Sequence, residues 1–168
     1  AALAERWAVA STAKAMLERA VELYRGENQD PLVTRGGEIF TRLTGTGLNP
    51  IVRLDVGYPE GRQPQLVAVR QDASRCDVDG LSEGTRDQLF LSLRLAAVER
   101  HVAAYEPLPF LADDLFVTTD EERLARGLEV LAALGERTQV ILFTHHRHVA
   151  EAASGIAGAQ VQSLPSYS

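Results

Sequence analysis

The stretch LSEGTRDQLFLSLRLAAVERHVAAYEPLPFLADD, residues 81–114, holds the pattern on which the fold turns. It predicts an amphipathic helix from Gly84 to Ala103, with Leu89, Leu93, Ala96 and Ala97 on its buried face, and then an apolar strand from Pro109 to Asp113. The same alternation continues downstream. A helix is expected from Asp120 to Leu134, a strand from Gln139 to Thr144, and a short helix from Arg147. Helices and strands in this order imply an α/β fold with a mostly parallel sheet flanked by helices.

Upstream the pattern changes. Ile51 to Val56 and Gln65 to Val69 are β-rich runs separated by Gly57, Tyr58, Pro59, Glu60 and Gly61, which reads as a small β-hairpin with a long loop. Before it, Leu32 to Leu43 has helical apolar spacing and stops ahead of Gly45 and Gly47. At the N-terminus, Leu3, Trp7, Ala10, Lys14, Leu17, Val21 and Tyr24 alternate in steps of four and three, ending at Gly26. That spacing fits both a coiled-coil seam and an amphipathic helix packed on a core. Residues 1–26 are accordingly expected to form one unit and 27–168 another. The chain opens inside this helical pattern without a start signal and reads as a fragment.

Composition narrows the class. A chain of 168 residues is one domain or part of one, at roughly 100–200 residues per domain. Hydrophobic residues at 45% and charged residues at 24% are an ordinary globular balance, which excludes a disordered or fibrous chain. Cys76 is the single cysteine, so no internal disulfide can form, as suits a reducing, cytoplasmic setting. The longest apolar runs, such as Val140 to Phe143, fall far short of the roughly 18 residues of a membrane span. A net charge of -6 argues against a nucleic-acid surface spread over the whole domain but leaves room for a local basic strip. Of 17 basic residues only Lys14 is lysine, so chemistry that needs a lysine has one candidate.

Four segments carry groups suited to chemistry. Ser82, with Gly84 two residues on and Thr85 beside it, would bring a hydroxyl, open backbone N–H groups and the positive end of a helix dipole to one place, which suits an anion as well as a plain helix cap. Asp113 and Asp114 end an apolar strand, where α/β sheets bind ligands, and a carboxylate there is a hard oxygen ligand for Mg²⁺. Alternation along the strand keeps the two from facing the same way, so one can serve a metal shell while the other polarises a water. Thr119 and Glu122 have capping-box spacing, which accounts structurally for the segment containing Asp120. The run Thr138 to Phe143 is followed by Thr144, His145, His146, Arg147 and His148. A strand-end histidine can donate to a phosphate oxygen, whereas a zinc site is disfavoured by a spacing that matches no standard pattern and by the remote position of Cys76. His146, His148 and His101 are expected at the surface.

The order of these segments is more specific than any one of them. Ser82 precedes Asp113 by 31 residues (113 − 82) and Asp113 precedes His145 by 32 (145 − 113). The arrangement resembles the C-terminal half of an ABC-type ATPase head of the SMC class, closest to the bacterial SbcC-like and YhaN-like DNA-repair ATPases. On that resemblance the fold is the C-terminal lobe of a P-loop NTPase head, with residues 1–26 as the stub of a coiled-coil arm. Leu81 to Thr85 stands where the family has its LSGGQ-like signature, so Ser82, Gly84 and Thr85 would cap the γ-phosphate of ATP on a second head. Asp113 would be the Walker B aspartate on the Mg²⁺ shell, Asp114 would stand in for the catalytic glutamate, and Asp120 would be the D-loop aspartate. His145 would be the switch histidine.

Two departures qualify the resemblance. Asp114 is one methylene shorter than glutamate and would hold the attacking water differently. Walker A is missing, since Lys14 sits in Ser11, Thr12, Ala13, Lys14, Ala15 with no glycine before Gly26. The resemblance therefore implies partners: a Walker A half from the N-terminal part of the same protein, a second head joined through ATP, DNA, and a nuclease. It implies an ATPase whose isolated C-terminal portion is inactive. Two rival readings remain at this point. One is a non-enzymatic dimerisation or DNA-contact module using Arg86, Arg94 and Arg100 as a loose basic strip; the other is a stand-alone Mg²⁺-dependent phosphohydrolase.

Overall fold

The computed structural model describes residues 6–7, 9–17, 19, 30–45, 47–59, 63–116 and 119–165. The chain divides into two units, Ala1–Pro31 and Leu32–Ser168. In the first, the described residues 6–7, 9–17 and 19 are helical and exposed, including Trp7, Ala10 and Leu17 of the heptad seam. Leu3, Val21, Tyr24 and the stop at Gly26 lie outside the described residues.

The remaining elements run α1 (Pro31–Thr44), β1 (Ile51–Gly57), β2 (Gln65–Arg70), β3 (Arg75–Asp77), a 3-10 turn (Val78–Gly80), α2 (Glu83–Ala104), β4 (Phe110–Asp113), α3 (Glu121–Gly135), β5 (Val140–Phe143) and α4 (Arg147–Ser154). Helix α1 begins at a proline, which tolerates the first helical position because its N–H would be unpaired there anyway. It stops where Gly45 takes φ +68° and donates to Thr41 O at 3.1 Å. Gly36 and Gly37 cost helix propensity in its middle but let neighbours approach. A Cβ on Gly36 would lie 2.7 Å from Leu93, and one on Gly37 would lie 3.1 Å from the Leu54 backbone.

Strands β1, β2 and β3 form an antiparallel sheet in that order, with Leu54 opposite Ala68 and Ala68 opposite Cys76. The hairpin read from the sequence thus gains a third strand. Arg75–Asp77 is too short to show alternation, and its place is set by the turn before it, where Asp72 accepts from Ser74 N at 2.9 Å.

Two hydrophobic cores share α1 and α2. Phe40, Ile51, Leu54, Ala68, Leu81 and Leu89 form the first, between the meander and the two helices. Ile39, Leu43, Leu91, Leu95 and Ala96 join Phe116, Val149 and the α3 leucines Leu124, Leu128, Leu131 and Leu134 in the second. Because α2 is packed on two sides, it buries Leu91, Ser92 and Leu95 as well as Leu89 and Ala96, while Leu93 and Ala97 are only half-buried. The single apolar stripe expected from the sequence is therefore too narrow.

Strands β4 and β5 pair in parallel, Phe110 with Val140 through Asp113 with Phe143, joined by the α3 crossover. Phe110, Ala112, Val140 and Leu142 face the second core. The opposite face carries Leu111 and Phe143, which are 63% and 43% exposed. Parallel sheets are ordinarily covered on both faces, so this pair presents a bare apolar side.

Candidate functional site

Parallel pairing brings the carboxyl ends of β4 and β5 to one edge, and this edge carries the strand-end carboxylates and histidines. Asp114 N donates to Phe143 O at 3.0 Å, extending the ladder one residue beyond Asp113. Its φ of 45° is in the left-handed region, which aspartate tolerates better than most side chains. Asp113, before this turn, is exposed, whereas the Asp114 side chain is only 32% exposed. The Asp114 carboxylate meets the ring of His145, Nδ1 to Oδ2, at 2.8 Å. Partial burial opposes ionisation of Asp114, but the hydrogen bond and charge of the His145 ring, together with hydrogen bonds from the Thr144 hydroxyl and the His145 backbone, more than offset it and hold the carboxyl below the usual range.

His145 is itself 72% exposed, and its ring lies 3.9 Å from that of His146, centroid to centroid. His146 is not the surface residue expected from the sequence. It is partly buried, its backbone N–H is bonded to Thr144 Oγ1 at 3.1 Å, and its Nε2 is shielded without a hydrogen-bond partner. Asp114 Oδ1 is likewise shielded and unpartnered among the described residues. His148 and His101 are exposed, as expected.

The second group of candidates lies at the start of α2. Ser82 is the N-cap, accepting from Thr85 N at 3.3 Å, and its hydroxyl is 2.7 Å from that of Thr85. Gly84 has nothing within 4 Å of where a Cβ would stand, so no internal contact requires glycine there. Ser82 and Thr85 line a cleft of about 400 Å³, with Arg70, Arg123, Gly45 and residues 47–51 among its other described walls. Among the described lining residues there are two arginines and no carboxylate, so the cleft favours anions.

Asp120 caps α3, accepting from Arg123 N at 2.8 Å, and its carboxylate pairs with Arg123 Nε at 3.3 Å. The cap is thus Asp120 and not Thr119, whose hydroxyl donates to Phe116 O at 2.8 Å. Through Arg123, Asp120 is tied to the cleft beside Ser82. Among the described residues, no hydrogen bond or ion pair joins this group to Asp114 and His145. Arg86 turns inward, with Nη2 on Leu81 O at 3.4 Å, so of the basic strip only Arg94 and Arg100 are fully exposed.

Comparison with solved structures matches this arrangement. A structure from work on ATP-driven dimerization and DNA-stimulated activation of SMC ATPases superposes with a TM-score of 0.57 at 17% identity, covering 79% of this chain and 78% of that one. The chain has the fold of an SMC ATPase head. The Smc head of Pyrococcus furiosus, bound to the C-terminal domain of ScpA, gives a TM-score of 0.53 at 18% identity over 73% of this chain and 30% of its own. In sequence, the uncharacterized protein YhaN of Bacillus subtilis (strain 168) is 32% identical over 151 residues, which is 89% of this chain. The chain spans 15% of the length of YhaN. No family model matches.

The SMC head fold agrees with the α/β architecture read from the sequence, and the similarity to YhaN agrees with the resemblance drawn there. Among the described residues, no helix is long and apolar enough to cross a membrane. Sequence reasoning missed Arg70 and Arg123, which lie on different elements and both line the cleft. It also missed the inward turn of His146; the adjacent histidines were visible, but not which of them the fold would shield.

Proposed function

We propose that this chain is the C-terminal part of an SMC-type ATPase head, with residues 1–26 as the end of a coiled-coil arm and 27–168 as head. The observation that carries the reading is the Asp114–His145 pair at the carboxyl ends of two parallel strands, where α/β folds place their phosphate chemistry. The bare face at Leu111 and Phe143 supports it, since a head half that supplies Walker A would cover that side.

In this reading Asp114 accepts a hydrogen bond from the attacking water and orients it. A charged His145 ring would donate from both nitrogens, to Asp114 through Nδ1 and to a phosphate oxygen through Nε2. Asp113 is an exposed oxygen donor at a strand end and fits the shell of Mg²⁺, which when bound supplies charge neutralisation on the phosphates. Ser82, Thr85 and the backbone at Gly84 would receive the γ-phosphate of ATP held by a second head; the basic cleft and the open space at Gly84 fit such an anion. Asp120 would meet that second head at the junction beside the cleft.

The full protein would then hydrolyse ATP to open and close paired heads in the cytoplasm, acting on DNA in repair, with a nuclease as partner. This chain alone would be inactive for want of Walker A. The test is Asp114→Asn in the full-length protein, which should abolish turnover while leaving ATP-dependent pairing of heads. Loss of pairing with unchanged turnover per head would contradict the assignment.

A further inference from the structure

Zinc is disfavoured by sequence spacing alone, yet the fold gathers a ligand set that spacing does not show. Asp114, His145 and His146 each offer a ligand atom, and these atoms all lie within 4.8 Å of one another. Two imidazoles and one carboxylate, with further positions open, are a recurrent donor set for Zn²⁺ and neighbouring transition metals and unlike the all-oxygen shell of Mg²⁺.

Two independent features point the same way. Among the described residues, Asp114 Oδ1 and His146 Nε2 are each shielded from solvent and find no hydrogen-bond partner, a state that buried polar atoms seldom keep. The donors are also held nearly in place. The His145 Nδ1 to Asp114 Oδ2 distance is 2.8 Å, against about 3.4 Å between ligands of a tetrahedral zinc with bonds near 2.1 Å. His146 is fixed by the bond from its backbone N–H to Thr144 Oγ1 and by the neighbouring His145 ring. A small outward relaxation would exchange the His145–Asp114 hydrogen bond for two metal bonds.

We propose that Asp114, His145 and His146 form a transition-metal site of the zinc class, separate from the Mg²⁺ position at Asp113. Binding needs neither nucleotide nor a second head. Its consequence for hydrolysis rests on the function proposed above: a metal there would tie up Asp114 and His145, so zinc would act as an inhibitor of turnover.

The experiment is titration of this chain, without nucleotide, with Zn²⁺ by calorimetry and with Co²⁺ by visible absorption, which reports entry into a low-symmetry nitrogen–oxygen site. One metal per chain is expected, with Mg²⁺ at equal concentration failing to displace it. His146→Ala should weaken binding about tenfold or more, while His148→Ala and His101→Ala leave it unchanged. If His146→Ala does not fold, as circular dichroism would show, the ring ¹⁵N resonances of the unsubstituted chain decide instead; Zn²⁺ should shift those of His145 and His146 and spare His101. Absence of stoichiometric binding, or binding weakened equally by loss of any histidine, would overturn the site. Neither result bears on the ATPase assignment, which is tested separately through turnover.

Discussion

His145 Nδ1 lies 2.8 Å from Asp114 Oδ2, so a hydrogen bond ties the end of β5 to the end of β4. The two residues are 31 apart in sequence (145 − 114), and only the parallel pairing of Asp113 with Phe143 brings them together. On the function proposed above, the carboxylate would orient water and the ring would hold phosphate, the two acting as one unit. Asp114→Asn keeps the shape but removes the charge that, on this reading, would polarise water. In the full-length protein it should lower kcat by about 10²-fold or more with KM for ATP little changed, as steady-state kinetics would show.

Gly84 separates stability from function. Since nothing lies within 4 Å of its missing Cβ, Gly84→Leu should leave the stability of this chain within about 0.5 kcal/mol of the parent, as urea melts would show. If the start of α2 receives a phosphate, the same change should abolish ATP-dependent pairing of full-length heads, as size-exclusion chromatography would show. A variant that pairs normally would remove the signature role from this helix.

The Arg35–Glu99 pair sets an acid limit on stability. Arg35 Nε donates to Glu99 Oε2 at 2.6 Å and joins α1 to α2. That hydrogen bond is the chief reason the Glu99 carboxyl is held below its usual range, burial opposing it. A carboxyl lowered in the folded state stabilises the protein above its unfolded value, and the contribution fades as pH falls through the folded value. Glu99→Gln should cost about 1 kcal/mol near neutrality and flatten the loss of stability on acidification, in urea melts at stepped pH.

Packing around Gly127 is a test of the second core. A Cβ there would collide with the Phe116 ring. Gly127→Val should destabilise by about 1–3 kcal/mol, and Phe116→Leu in the same chain should recover part of that loss.

Much of the fold follows from local signals. Ser82 before an apolar-periodic run gives the start of α2, and the turn residues around Gly45 and Gly57 bracket β1. Where local signals misled, tertiary packing is the cause. Thr119 and Asp120 are both good caps, and the choice falls on Asp120 because Thr119 is drawn to Phe116 O. Leu91 and Leu95 are buried because α2 lies between two cores, which no single helical stripe reveals. At the site, the residue types were legible, but three facts needed the fold. These are the left-handed turn at Asp114, the shielding of His146 and the presence of both Arg70 and Arg123 in the cleft that Ser82 lines.

On the proposed function, this chain holds one part of a divided ATP site. Calorimetry with Mg²⁺-ATP tests it most directly, first on this chain alone and then on the chain mixed with the N-terminal half of its own full-length protein. No binding to the chain alone, and binding with turnover in the mixture, are the expected results. Tight binding by the lone chain, or silence in a mixture whose halves associate, would contradict it.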